Sequence, residues 1–190
     1  MFHADDSRAH DRVKADAGGR ELRRSGLKYA APALLAFWSG AGAVAAQELV
    51  FSMQASESCL SEMPGDTDPL TCLGISASRC MEETDGGYSR LGTLGCIQAE
   101  LVGWEDRMNG SFAQMQVKDQ IADTEGGAQG VFGPMLQKMQ REWLDYRNAR
   151  CDYIGAKEGG DEAFEERRDW CRLEMTGLQA ILLRDLVRNY

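Results

Sequence analysis

The chain has 190 residues, 27% charged and 43% hydrophobic, with a formal net charge of −9. That length and balance suit one compact domain with a tail. The acidic excess speaks against binding to nucleic acid or to an anionic membrane surface.

Residues 1–46 read differently from the rest. Arg20, Arg23, Arg24 and Lys28 precede an apolar run that begins at Tyr29, and the small residues Ala43, Val44, Ala45 and Ala46 follow it. This is the three-part pattern of a secretory signal peptide, with cleavage after Ala45 or Ala46 and a mature chain from near Gln47. Pro32, Ser39, Gly40 and Gly42 break the run, leaving it short for a membrane span of about 20 apolar residues. The stretch before it, with Asp5, Asp6 and Asp16, is longer than such a segment needs. Arg23 and Arg24 resemble a twin-arginine signal, but Gly26 stands where a bulky residue is preferred, so the general secretory route is the expectation. Cleavage also removes more basic than acidic residues. The remainder is therefore more acidic than the whole, and is expected to be periplasmic or secreted, with no stable membrane insertion after cleavage.

The next segment, 47–88, is rich in cysteine. Cys59, Cys72, Cys80, Cys96, Cys151 and Cys171 all follow the expected cut, and an even number in an exported chain argues for disulfides. Six cysteines allow many connectivities. Pairing of sequence neighbours, 59 with 72, 80 with 96 and 151 with 171, is the expectation adopted. A zinc site is not expected, since the sequence has no C-x-x-C pair and its only histidines, His3 and His10, precede the cut. "PGDTDP" and "TDGGY" read as turns on either side of a short helix over about residues 70–83.

Residues 89–190 carry three helical periods. Leu94, Ile97, Leu101, Trp104, Met108, Phe112 and Met115 form the first row, Phe132, Met135, Met139, Trp143 and Tyr146 the second, and Cys171, Met175, Leu178, Leu182 and Leu186 the third. Each is an apolar stripe at helical spacing. "DTEGGAQGVFGP" separates the first two, with Pro134 suited to a first helical turn, and "GAKEGGDEAF" separates the last two, with Asp161 placed to cap the third helix. Three amphipathic helices on short links predict an all-α antiparallel bundle of about three main helices plus a short N-terminal helix, stapled by disulfides. On this reading Trp143 and Tyr146 fill the core, and Arg147 either pairs inside the bundle with Glu100 or Glu105, the favoured expectation, or projects outward to a partner.

The enzyme classes thin out quickly. Serine and cysteine nucleophile systems move a proton through imidazole, and the mature chain has none. Glu165 and Glu166 are a carboxylate pair only in the sense that any acidic helix face has one. Neither G-x-G-x-x-G nor a Walker A loop occurs, so no cofactor, metal or catalytic residue is expected.

"MQREWLDYRNARC", residues 139–151, resembles the "AQ…W…YRD…C" signature of the LprI-like lysozyme-inhibitor family of small exported bacterial proteins. "CIQAELVGWEDRMNGSF" and "CRLEMTGLQAILL" fit that family's flanking segments in order, so the resemblance spans residues 80–186. Its motif positions fall on Glu105, Asn109, Gln140, Trp143, Tyr146, Arg147 and Thr176, besides the cysteines. Glu105 stands for Asp, Phe112 for Tyr, Asn148 for Asp and Gln179 for Arg. The resemblance implies a non-catalytic protein that binds a cationic muramidase, its acidity steering the encounter. The glycine loop at 123–133 would plug the cleft, or acidic helix faces would meet the enzyme's basic rim. The rival reading is an accessory module that binds some other envelope protein and has no effect on lysozyme.

Overall fold

The computed structural model describes residues 48–65, 67–125 and 130–190, the side chains of 159–162 excepted. The expected signal segment 1–46, the loop residues 126–129 and the side chain of Asp161 lie outside the described residues. The described residues are helical, without a strand among them. Two short helices come first, α1 (Gln54–Glu62) and α2 (Ile75–Glu83), with a 3-10 turn at Pro69–Cys72 between them. Three long ones follow: α3 (Arg90–Glu125), α4 (Phe132–Ile154) and α5 (Gly160–Arg188).

The short elements differ from expectation in an instructive way. The single helix expected over 70–83 is a 3-10 turn capped by the Asp68 carboxylate, which accepts from Leu70 N at 2.9 Å, and then α2. Gly74 separates them with φ at +89°, a left-handed conformation that glycine adopts without strain. A Cβ there would lie 2.4 Å from the Trp170 ring of α5, so the site needs glycine twice over. Helix α1 carries no apolar period that would have announced it.

Contacts between side chains fix the helix directions. Arg147 meets Glu105, and Gln140 meets Met108, so α4 runs against α3. Cys151 is bonded to Cys171, and Gln140 meets Gln179, so α4 also runs against α5. Gln98 binds Asp169 and Tyr190 binds Asp119, so α5 runs along α3. The link expected as an irregular loop at 155–164 is instead a π-helical turn, Gly155–Gly159, that feeds directly into α5.

The expected row on α3 is the row that packs. Leu94, Ile97, Trp104, Met108 and Met115 are buried, with Leu101 and Phe112 packed beside them. Leu73, Ala77, Cys80 and Met81 from the cysteine-rich segment share that core with Leu173, Ala180 and Leu183 of α5. The structure pairs Cys59 with Cys72, Cys80 with Cys96 and Cys151 with Cys171. Closing loops of this length contributes about 3 kcal/mol each.

The rows expected on α4 and α5 are not the buried ones. Phe132, Met135, Met139 and Tyr146 are exposed, Tyr146 by 58%, and α4 buries Leu136, Gln140, Arg147 and Cys151 instead. One residue of phase is about 100° of helix rotation, and the bond from Cys151 together with the charge on Arg147 sets the phase. On α5, Leu178, Leu182 and Leu186 are exposed while Leu173, Thr176, Gln179, Ala180 and Leu183 are buried. Helix α5 faces α3, α4 and the cysteine-rich segment together, so its buried arc is broad. Small residues are needed where neighbours approach: Leu73 lies 2.6 Å from where a Cβ on Gly177 would be.

Glu100 joins the two parts of the core. Its carboxylate is fully buried and accepts four bonds from neutral donors. Ser56 Oγ, Gly74 N and Trp104 Nε1 reach Oε1 at 2.8, 2.9 and 2.9 Å, and Ala77 N reaches Oε2 at 2.6 Å. Two of these donors belong to the N-terminus of α2, where a negative charge also meets the helix dipole. Beside it, Ser56 and Ser76 each donate a backbone N–H to the other's hydroxyl, both at 3.0 Å. Glu100→Ala strands these donors and is expected to cost at least about 3 kcal/mol in urea denaturation. Amide exchange at Gly74 and Ala77 should accelerate more than exchange in α4. A loss below about 1 kcal/mol would mean that water replaces the carboxylate.

Candidate functional site

Three long helices meet around Arg147, which is buried although it is an arginine. Its Nη1 donates to Glu105 Oε1 at 3.1 Å and to Thr176 Oγ1 at 2.9 Å. Nε and Nη2 both donate to Asn148 Oδ1, at 3.3 and 3.2 Å. The guanidinium also lies over the Trp143 ring, 5.4 Å from its centroid. Of the two partners expected from sequence, Glu105 is the one Arg147 takes. Glu100 is occupied with α1 and α2.

A second, neutral layer lies one to two turns away along α4. Gln179 Nε2 donates to Gln140 Oε1 at 3.1 Å, and Gln140 Nε2 points at Met108 Sδ, 3.3 Å away. Glu105, Gln140, Trp143, Arg147 and Thr176 therefore come together at the α3–α4–α5 junction. Asn109 and Tyr146 do not join them, since both face solvent. Sequence reasoning missed Asn148 and Gln179. Their signal was available in the two departures from the family pattern, where an amide replaces a charged group and finds a neighbouring amide or the arginine fork.

The cluster is built to hold helices, not to do chemistry. Arg147 spends its fork on three protein oxygens, and Thr176 is completely buried. Among the described residues no group of three or more His, Cys, Asp or Glu is placed to hold a metal. The same holds for membranes: no described helix is long and apolar enough to cross one.

The glycine loop has its own anchor. Asp123, at the end of α3, accepts from Val131 N and Phe132 N at 3.0 and 3.1 Å through Oδ1, and from Gly133 N at 3.1 Å through Oδ2. It thus caps α4 from the preceding helix. Desolvation pushes the Asp123 carboxyl up, but the backbone N–H groups of Phe132, Gly133 and Val131 together hold it below the usual carboxylate range.

A family model described as "Lysozyme inhibitor LprI" matches residues 80–181. The chain belongs to that family. The match begins at Cys80 and takes in the whole Arg147 cluster. No curated protein and no solved structure matches the chain.

Arg147→Lys keeps the charge but loses the fork, and is expected to lower stability by about 2–3 kcal/mol, read from chemical denaturation. Asn148→Asp adds a charge partner for the fork and should stabilise the chain that keeps Arg147 more than the Arg147→Lys chain, read from a double-mutant cycle. For Asp123 the folded carboxyl is depressed, so its contribution is present above the unfolded value of about 3.9 and is lost as pH falls through the lower folded value. Amide exchange at residues 131–133 should therefore stay slow down to about pH 4 and accelerate below it.

Proposed function

We propose that this chain is exported through residues 1–46 and acts outside the cytoplasm as a non-catalytic inhibitor of a cationic lysozyme. Family membership supports the inhibitor role, and three disulfides suit an oxidising compartment. The mode of binding follows from where the acidic residues stand.

The ends of α2 and α4 and the starts of α3 and α5 meet at one end of the molecule, where Arg90 binds Glu165 at 3.3 Å. Glu82, Glu83 and Asp85 stand at the α2 side of that end, and Glu158, Glu165 and Glu166 at the α5 side. They outnumber Arg79, Arg90, Lys157, Arg167 and Arg168 there. An acidic end of this kind speeds encounter with a basic rim and orients the complex. This is the observation that carries the proposal.

The glycine loop is the weaker candidate for contact. A plug for a cleft lined by carboxylates must offer donors, and the N–H groups of Val131, Phe132 and Gly133 are already bound to Asp123. We therefore assign binding to the acidic end and not to residues 123–133.

The test is lysis of peptidoglycan by a cationic lysozyme with the oxidised chain from Gln47 to Tyr190 in excess. Inhibition should weaken as salt rises from low to physiological strength. The triple variant Glu82→Lys, Glu83→Lys, Glu158→Lys should slow association at least tenfold while melting as the unmodified chain does. Inhibition insensitive to both salt and charge reversal moves the interface elsewhere. No inhibition at low salt sinks the lysozyme reading and leaves binding to another envelope protein, to be sought by capture from the periplasm.

A further inference from the structure

Helices α1, α3 and α5 leave a groove of about 730 Å³ on the side of the molecule away from α4. That is within the size range of small-molecule sites, roughly 300–1,000 Å³. Its apolar lining comes from Leu60, Trp104 and Ile181. The indole N–H of Trp104 is bound to Glu100, which fixes the ring, and at 2% exposure Trp104 backs the groove while Leu60 and Ile181 supply its open apolar surface.

The charged lining is unusual for so acidic a chain. Arg107, Arg184 and Arg188 all border the groove. Arg107 lies over the Trp104 ring at 5.7 Å, donates to Gly103 O at 2.7 Å and is paired with Glu57. Arg184 bonds Asp185 through Nε at 2.9 Å, and Arg188 approaches the same oxygen at 3.9 Å. Three guanidiniums therefore face two carboxylates, and one positive charge is left over. Arg184 and Arg188 stay partly exposed, with 38% and 67% of their side-chain surface open, so both can turn toward an incoming anion.

We propose that this groove binds a small amphiphile with one anionic head and a short aliphatic tail. The head, a carboxylate or a phosphate monoester, sits between Arg184 and Arg188, where a planar fork can grip two oxygens. The tail lies along Leu60 and Ile181. This site is separate from the acidic end and from the Arg147 cluster, and it stands whether or not lysozyme is inhibited.

The experiment is calorimetric titration of the oxidised chain with decanoate below its micelle concentration. Decyl phosphate, acetate and uncharged decanamide serve as parallel arms. Saturable one-to-one binding of decanoate or decyl phosphate is expected, and the tighter of the two identifies the head. Acetate and decanamide should each bind at least tenfold more weakly, since each lacks one half of the ligand. The double variant Arg184→Gln, Arg188→Gln should lose at least tenfold in affinity with its melting temperature unchanged, because neither side chain is buried. Decanamide binding as tightly as decanoate, an unaffected double variant, or no saturable binding by either anion overturns the proposal.

Discussion

A carboxylate without solvent must be satisfied by the protein or the fold is lost, and in this chain that carboxylate is Glu100. Its donors come from α1, from the start of α2 and from Trp104 one turn further along α3. The cysteine-rich segment is consequently held at one orientation on α3. The same bonds hold Trp104, whose buried ring carries Arg107 above it and backs the groove between α1, α3 and α5. The hydrogen bonds of one buried carboxylate thus reach as far as the residues around the groove.

The sequence made α3 legible because its packing residues are apolar and keep one phase from Leu94 to Met115. It made α4 misleading for a physical reason. Hydrophobic periodicity weighs Met135, Met139 and Tyr146 above Gln140 and Arg147, but the latter find partners inside and the former are left outside. A buried arginine costs little once its fork is filled, and nothing in a hydropathy pattern reports whether it will be. Tyr146 was misplaced for that reason. Arg147 itself was placed correctly by its chemistry: a planar donor suits a partly buried acid.

The residues by which the sequence resembles its family mostly lie inside the bundle. Gln140, Arg147 and Thr176 are inside, and their contacts are with one another's helices. The acidic side chains of the proposed contact, such as Glu82, Glu83 and Glu158, are exposed and follow no spacing rule. The proposed surface therefore depends on how the helices are placed in space, whereas the family resemblance rests on several segments taken in order along the sequence.

The three disulfides have a consequence for biogenesis. Each joins a cysteine to the next one in the chain, at separations of 13, 16 and 20 residues. A polypeptide oxidised as it emerges, N-terminus first, meets each correct partner before any wrong one is available. No native bond crosses another, so none has to be broken and re-formed. Native pairing in chain order therefore requires no exchange between disulfides.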